Sequence, residues 1–265
     1  MSLGTPIATG FTAEIFPWKN GQVLKLFNPG IPRQVVEWEA HLAGLVYEHG
    51  LPVPSVGGVV EADGRFGLEY ERVTGVSMLE ALVMRPWKFV GYARLLAQLQ
   101  VQVNRISLPD MPSNRQRLER KIRRAEILPE NVREAALTAL EGLPEQDGLC
   151  HGDFHPGNIL LAERGPVIID WIDAARGNPI LDIARSTIIF SGIHLPASFP
   201  GGRVLNLVLK WFYPAYLKRY LELNPFDPLE LDRWLPVVAA VRLDENITFD
   251  EKRLLSIAMR LLPKS

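Results

Sequence analysis

The chain reads as an α+β protein of two lobes, a small antiparallel-sheet lobe with one key helix followed by a larger, mainly helical lobe. Three observations point there. Two β-prone hairpins bracket a single helical stretch in the first third of the chain. From about residue 76 apolar residues recur at helical spacing almost to the end. Short β segments interrupt that helical run beside the densest polar cluster, His151 to Asn158. Residues 1–70 are expected to form the first lobe, 71–75 a hinge and 76–265 the second lobe.

Each element has a local reason. Thr12–Phe16 and Val23–Phe27 are β-prone runs joined across Asn20-Gly21, a pair that tolerates positive φ at both positions and so favours a hairpin. Val56–Glu61 and Arg65–Glu71 form a second hairpin, turning at Asp63-Gly64. Between them a helix is expected over Gln34–His49, with Val35, Trp38, Leu42, Leu45 and Val46 on its apolar face, ended by Gly50 and Pro52. Helices are then expected over Trp87–Ile106, Asn114–Ile127, Asn131–Leu140, Pro179–Phe190, Val204–Leu223, Leu229–Leu243 and Asp250–Leu262. The β segments Asn158–Leu161 and Val167–Ile169 lie among them.

Composition removes several function classes. With 29 Lys plus Arg against 30 Asp plus Glu, the net charge of −1 argues against a partner held by bulk charge, nucleic acid included. The six cations Arg115, Arg117, Arg120, Lys121, Arg123 and Arg124 have no interleaved aromatics and read as a solvated helix face. The single cysteine, Cys150, excludes an internal disulfide framework and reads as a small buried hydrophobe. No apolar run approaches the roughly 18 to 20 residues of a membrane span, and Met1 to Pro6 lacks a basic region followed by an apolar run. A cytoplasmic protein without membrane or nucleic-acid partners is expected, as a monomer or weak homodimer.

The chemistry concentrates in His151-Gly152-Asp153-Phe154-His155-Pro156-Gly157-Asn158, followed by a strand, a turn and a second strand ending on Asp170. Asn158 and Asp170 then stand near two adjacent strand ends and can offer hard oxygen ligands to one Mg²⁺, which commonly takes only one or two protein oxygens beside substrate phosphates. Asp153 remains to accept or orient a hydroxyl proton. His151 suits a structural role in holding the loop, and Asp173 and Asp182 suit loop support. A metal-hydrolase reading through His151, Asp153 and His155 lacks a second His/Asp cluster, since His41, His49 and His194 lie in unrelated segments.

The spacing His151-x-Asp153-x4-Asn158, with Asp170 twelve residues on, resembles the catalytic and metal-binding motifs of the aminoglycoside phosphotransferase and choline kinase family. Ile169-Asp170-Trp171, Gly177-Asn178-Pro179 and Asp182-Ile183-Ala184 extend the resemblance. It implies a protein-kinase-like fold, ATP or GTP as co-substrate, Mg²⁺ at Asn158 and Asp170, and Asp153 as the catalytic residue. It also implies a phosphate-side lysine, for which Lys25 is the candidate; a charge in an apolar strand needs a partner. Of the two helix carboxylates, Glu39 shares the apolar face and Glu37 does not, so Glu39 is the expected partner. Gly10 to Ala13, with Thr12, is the candidate phosphate-covering turn through the backbone N–H groups of Phe11 to Ala13, and the backbone of Glu71 and Val73 the candidate adenine contact.

The same resemblance puts the acceptor against the C-terminal helices. Asp244 and Glu245 are candidates there, with Trp171, and such acids would suit a cationic amino sugar or amine. They sit at a helix C-terminus, where acids are unfavourable and need another reason. The implied activity is transfer of a γ-phosphoryl group to a hydroxyl of an aminoglycoside-like, amino-alcohol or sugar acceptor. The alternative is a nucleotide-binding regulatory protein that no longer transfers phosphate; a protein-serine kinase is disfavoured because only a short stretch separates Asp170 from the next helix.

Overall fold

The computed structural model describes residues 3–10, 12–109, 111–192, 202–245 and 248–263, with the side chains of 202–205 excepted. Phe11 and His194 therefore lie outside the described residues. The chain divides into two compact units, one of residues 1–78 and 157–172, the other of residues 79–156 and 173–265.

The first unit holds β1 (Ala8–Thr9), β2 (Ala13–Pro17), β3 (Gln22–Phe27), α1 (Arg33–Glu48), β4 (Val56–Ala62), β5 (Arg65–Glu71) and β6 (Gly75–Ser77). Five of these strands make an antiparallel sheet in the order β1-β2-β3-β5-β4. Both turns take the backbone that their sequences favour. Asn20 and Gly21 have φ of 58° and 71°, and Asp63 and Gly64 have 52° and 67°. With Ala62 paired to Arg65, the second turn is a two-residue loop with both φ values positive, matching the right-handed twist of its strands.

Helix α1 ends where Gly50 takes φ +73°. Its buried face is Val36, Glu39, Leu42, Ala43 and Val46, whereas Val35, Trp38 and Leu45 are only partly buried. Leu42, Val46 and the expected Glu39 lie on the buried face, but Val36 and Ala43 complete it in place of Val35, Trp38 and Leu45, so the face is displaced by about one residue.

After β7 (Gly148–Cys150) in the second unit, β8 (Ile159–Ala162) and β9 (Gly165–Ile168) return to the first unit and pair with β6 in a three-stranded antiparallel sheet, order β6-β8-β9. Gly75 is required in β6, because a Cβ there would fall 2.5 Å from the Leu161 carbonyl oxygen. This pairing groups residues 157–172 with the first unit, while the sequence reading places them with the helices.

The second unit comprises α2 (Met78–Met84, starting at the unit border), α3 (Phe89–Asn104), α4 (Asn114–Arg124), α5 (Glu130–Glu141), β7, β10 (Ala175–Gly177), α6 (Pro179–Gly192), α7 (Gly202–Leu223), α8 (Pro228–Arg242) and α9 (Glu251–Ala258). Helix α2 has no counterpart in the sequence reading, and the expected helix from Trp87 begins instead as a 3-10 turn, Pro86–Lys88. Helix α3 packs on α7 and α6 on α8. Polar links cross this core. The Tyr216 hydroxyl donates to Gln100, and the Tyr220 hydroxyl donates to Asn104 Oδ1 at 2.9 Å. Of the aromatic run on α7, Phe212 and Tyr216 are fully buried while Trp211 is exposed. Among the described residues no helix is long and apolar enough to cross a membrane.

Candidate active site

In the first unit the site grows from Lys25, in the middle of β3 between the buried Leu24 and Leu26. Its Nζ donates to Glu39 Oε1 and Oε2 at 2.7 and 3.0 Å and to Asp170 Oδ1 at 2.8 Å. The Tyr70 hydroxyl donates to Glu39 Oε1 at 2.9 Å. Burial by itself would lower the Lys25 pKa, but the Glu39 and Asp170 carboxylates override it and hold the ammonium form. Burial pushes the Glu39 carboxyl up, opposed by Lys25. Burial and the Glu39 charge keep the Tyr70 phenol well above its usual range, so it remains a neutral donor.

Asp170 leaves β9 with φ 68°, a left-handed conformation that costs a non-glycine residue energy and marks a constrained position. The preceding Ile169 N–H donates to the Asn158 carbonyl at 3.0 Å, and Ile159 lies opposite Ile168. Asn158 is largely buried at the start of β8. One amide oxygen and one carboxylate are a donor set for a hard divalent cation whose remaining ligands are phosphate oxygens and water. Among the described residues no three His, Cys, Asp or Glu gather to cage a metal by themselves. The pair therefore fits Mg²⁺ or a similar cation that arrives with a phosphate ligand.

Of the other first-unit candidates, Gly10 donates to the Ala13 carbonyl at 2.8 Å, which closes the turn between β1 and β2, and the Thr12 carbonyl accepts from Asn28, just beyond β3, at 2.9 Å. The Glu71 N–H already donates to Ser55 at 2.9 Å, and Val73 is half-buried. Trp171 is buried, with its indole N–H directed to the Ile168 carbonyl, so it belongs to the packing of this unit and presents no open face.

In the second unit the loop His151–Asp153 is braced by Asp182. This fully buried carboxylate in the first turn of α6 accepts from the backbone N–H groups of His151 (3.0 Å) and Gly152 (2.8 Å) and from Asn104 Nδ2 (3.3 Å). Gly152 has φ +82°, and a Cβ there would overlap the Asp173 carbonyl oxygen, so only glycine fits. His151 is buried, its Nδ1 facing the Asp153 N–H at 3.3 Å and its ring edge-on to Phe154. That places it as loop structure.

Asp153 itself meets Arg185 Nη2 through Oδ1 and His155 Nε2 through Oδ2, both at 3.3 Å. Burial would raise its pKa, yet the His155 hydrogen bond and the Arg185 charge hold the carboxyl well below the usual carboxylate range. Arg185, only 8% exposed, reaches on to Glu245 with two bonds, Nη1–Oε1 at 2.5 Å and Nη2–Oε2 at 3.0 Å. Asp173 binds Arg117 at 2.7 Å, and Lys121 stands between Asp173 (4.0 Å) and Glu245 (3.4 Å).

Two expectations change here. Arg117, Lys121 and Arg124 of α4 are tied to Asp173, Glu245 and Asp244, so the basic stretch is a structural strut as well as a solvated face. The acids Asp244 and Glu245 tolerate their helix C-terminus because Arg124, Arg185 and Lys121 neutralise them. Arg185 escaped the sequence reading. Its signal was an arginine inside the apolar run Ile183-Ala184-Arg185-Ser186-Thr187-Ile188-Ile189, where a buried cation must have a partner.

The geometry of the His-Gly-Asp loop and of the Lys25 cluster invites comparison with known proteins. Residues 5–205 match the family described as APH, phosphotransferase enzyme family. The chain belongs to this family. Among solved structures, amicoumacin kinase hAmiN in complex with AMP-PNP, Ca²⁺ and Ami is similar at TM-score 0.62 and 16% identity, over 97% of this chain and 87% of that one. Aminoglycoside-3'-phosphotransferase of type VIII gives 0.61 and 19% over 90% and 92%. Aminoglycoside phosphotransferase APH(3'')-Id from Streptomyces rimosus ATCC10970 gives 0.60 and 16% over 89% and 92%. At these identities the likeness is one of fold, which is protein-kinase-like. No protein of curated function gives a significant match.

Proposed function

We propose that this phosphotransferase moves the γ-phosphoryl group of ATP or GTP to a hydroxyl of a small molecule, with Mg²⁺. The observation that carries the reading is the buried Lys25, whose charge is kept in an apolar strand by two carboxylates. Such a buried ion pair adds little net stability over apolar packing, so its presence here favours a functional role. In this reading Lys25, braced by Glu39 and Tyr70, positions the nucleotide phosphates. The turn at Gly10, Thr12 and Ala13 covers them, and the Glu71–Val73 backbone meets the base. Asn158 and Asp170 hold the cation, which when bound offsets negative charge on the phosphates.

Asp153 orients the acceptor hydroxyl. The hydroxyl oxygen forms a bond to the γ-phosphorus as the bond to the bridging oxygen breaks. The diphosphate leaves with that electron pair, and the hydroxyl proton passes to the Asp153 carboxylate. Because Arg185 and His155 make Asp153 a weak base, it takes the proton late, after P–O bond formation has made the hydroxyl acidic. Asp182, His151 and Asp173 hold the loop.

The test is transfer of labelled γ-phosphate to a panel of aminoglycosides, amino alcohols, sugars and hydroxy acids. Asp153→Asn should lower kcat by about 10²- to 10⁴-fold while nucleotide affinity, read by titration, stays. An Asp153→Asn protein as active as the parent would sink the assignment. Intact nucleotide binding with no transfer by the parent to any acceptor would favour a regulatory protein instead.

A further inference from the structure

The charges around Asp153 do not balance, and the imbalance has the opposite sign to that expected for a site that receives a cation. One ion-pair network in the second unit joins Arg117, Lys121, Arg185 and Arg242 to Asp153, Asp173 and Glu245, four cations against three carboxylates. The neighbouring acids lie outside this network: Asp182 is held by the His151 and Gly152 N–H groups and by Asn104. Asp244 is taken by Arg124 at 2.7 Å and Asp250 by Arg253 at 2.6 Å.

The surplus charge falls on Arg242, the last residue of α8. Its closest carboxylate contact is Glu245 Oε2, 4.0 Å from Nε and too long for a hydrogen bond, because both Glu245 oxygens are already bound by Arg185. Nε and Nη1 of Arg242 are buried with no hydrogen-bond partner among the described residues, while the side chain keeps 13% of its surface exposed. Burial, and then repulsion from Arg185, lowers the Arg242 pKa from its ordinary value. A guanidinium has five donors in a planar fork suited to carboxylate or phosphate. Leaving such donors shielded and unpaired is costly, and the charge of an anion arriving at the exposed part of the Arg242 side chain would offset that cost.

We infer that Arg242, backed by Arg185 and Lys121, is an anion-binding subsite beside Asp153, and that the acceptor is a hydroxyl compound bearing a carboxylate or phosphate. This rests on the phosphotransferase reading and deepens it. It replaces the cationic acceptor expected from Asp244 and Glu245, whose charges are spent on Arg124, Arg185 and Lys121. Acceptor discrimination then comes from Arg242, which acts as a specificity residue.

The experiment uses probes of one carbon frame and different charge: glycerate, glycerol 3-phosphate, glycerol and serinol, with kanamycin as a larger cation. Binding to the full chain is read by calorimetry in the presence of the unreactive nucleotide AMP-PNP and Mg²⁺, so no turnover is needed. The expectation is that glycerate or glycerol 3-phosphate binds at least about tenfold tighter than glycerol or serinol. Arg242→Met, confirmed as folded by its melting profile, should weaken that anion by about 10- to 100-fold, and Arg242→Lys should recover part of it. Preference for serinol or kanamycin, or no binding of either anion, overturns the proposal. So does an Arg242→Met protein that loses AMP-PNP affinity and keeps anion affinity, because the guanidinium would then serve the nucleotide phosphates. Should Arg242→Met fail to fold, competition in the parent decides: glycerate displaced by inorganic sulfate supports the subsite, and indifference to sulfate overturns it. Failure of the kinase reading looks different, since it appears as absent AMP-PNP binding or absent transfer whatever the charge of the acceptor.

Discussion

Both compact units bury ions, yet they do so with opposite net charge. Around Lys25 one ammonium meets two carboxylates, Glu39 and Asp170, leaving a formal −1. Around Asp153 four cations meet three carboxylates, leaving +1. A burial cost of this kind is tolerated where a ligand of the opposite sign completes the balance. The proposed roles follow this sign, a divalent cation at the first cluster and an anion at the second. A sum of charges over the chain, here −1, thus conceals clusters of opposite sign.

Breaking the first cluster should have the largest effect on stability. Lys25→Met leaves Glu39 buried beside Tyr70 without its cation, and removing one partner of a buried pair costs about 3–5 kcal/mol. Because the orphaned carboxyl can relieve this by taking a proton, the deficit relative to the parent should shrink on moderate acidification. Urea denaturation at two pH values would show it, and a deficit independent of pH would mean that Glu39 finds another partner.

The second cluster should respond to acid in the opposite sense. Burial raises, but the surrounding cations lower further, the carboxyls of Asp153 and Asp173, so both fall below the 3.8 of an unperturbed aspartate. A folded-state value below the unfolded one means that their contribution is fully present above pH 3.8 and is lost as pH falls through the folded values. Stability of the parent should therefore drop steeply on acidification below about pH 4, and Asp173→Asn should flatten that drop. A pH profile unchanged by Asp173→Asn would break the assignment of the shift.

The smallest effect sharpens the contrast between buried and exposed pairs. Arg33 and Glu37 lie four residues apart on α1, joined at 2.7 Å with both side chains about half exposed. A double-mutant cycle on this pair should return no more than about 0.5 kcal/mol. A value comparable to that of Lys25–Glu39 would undermine the use of burial to rank these interactions.

Much of the fold was legible because its signals are local. Asn20-Gly21 tolerates positive φ at both positions and takes it, and the turn expected at Asp63-Gly64 forms there with positive φ at both as well. The resemblance pointed to Lys25, and helix geometry then favoured Glu39 over Glu37 as its partner, fourteen residues apart in sequence. The phase of α1, by contrast, differs by about one residue, because the large apolar Val35, Trp38 and Leu45 flank the buried face while Val36 and the small Ala43 complete it. Helix α2 was missed because apolar residues surround it: Met78, Ala81 and Leu82 are buried on one face while Leu79, Val83 and Met84 are exposed on the other, so no periodicity marks it.

The amino-acid order therefore settles whatever depends on neighbours within a turn or two: the hairpin turns, the end of α1 at Gly50, and the spacing of Asp153, Asn158 and Asp170 about two strands. Folding alone settles the electrostatics, because Arg185 meets Glu245 across sixty residues and Lys25 meets Asp170 across 145. Coulomb and hydrogen-bond energies depend on distance and burial in space. No local pattern in the chain carries either quantity, so the sign of each site emerges only when distant segments are brought together.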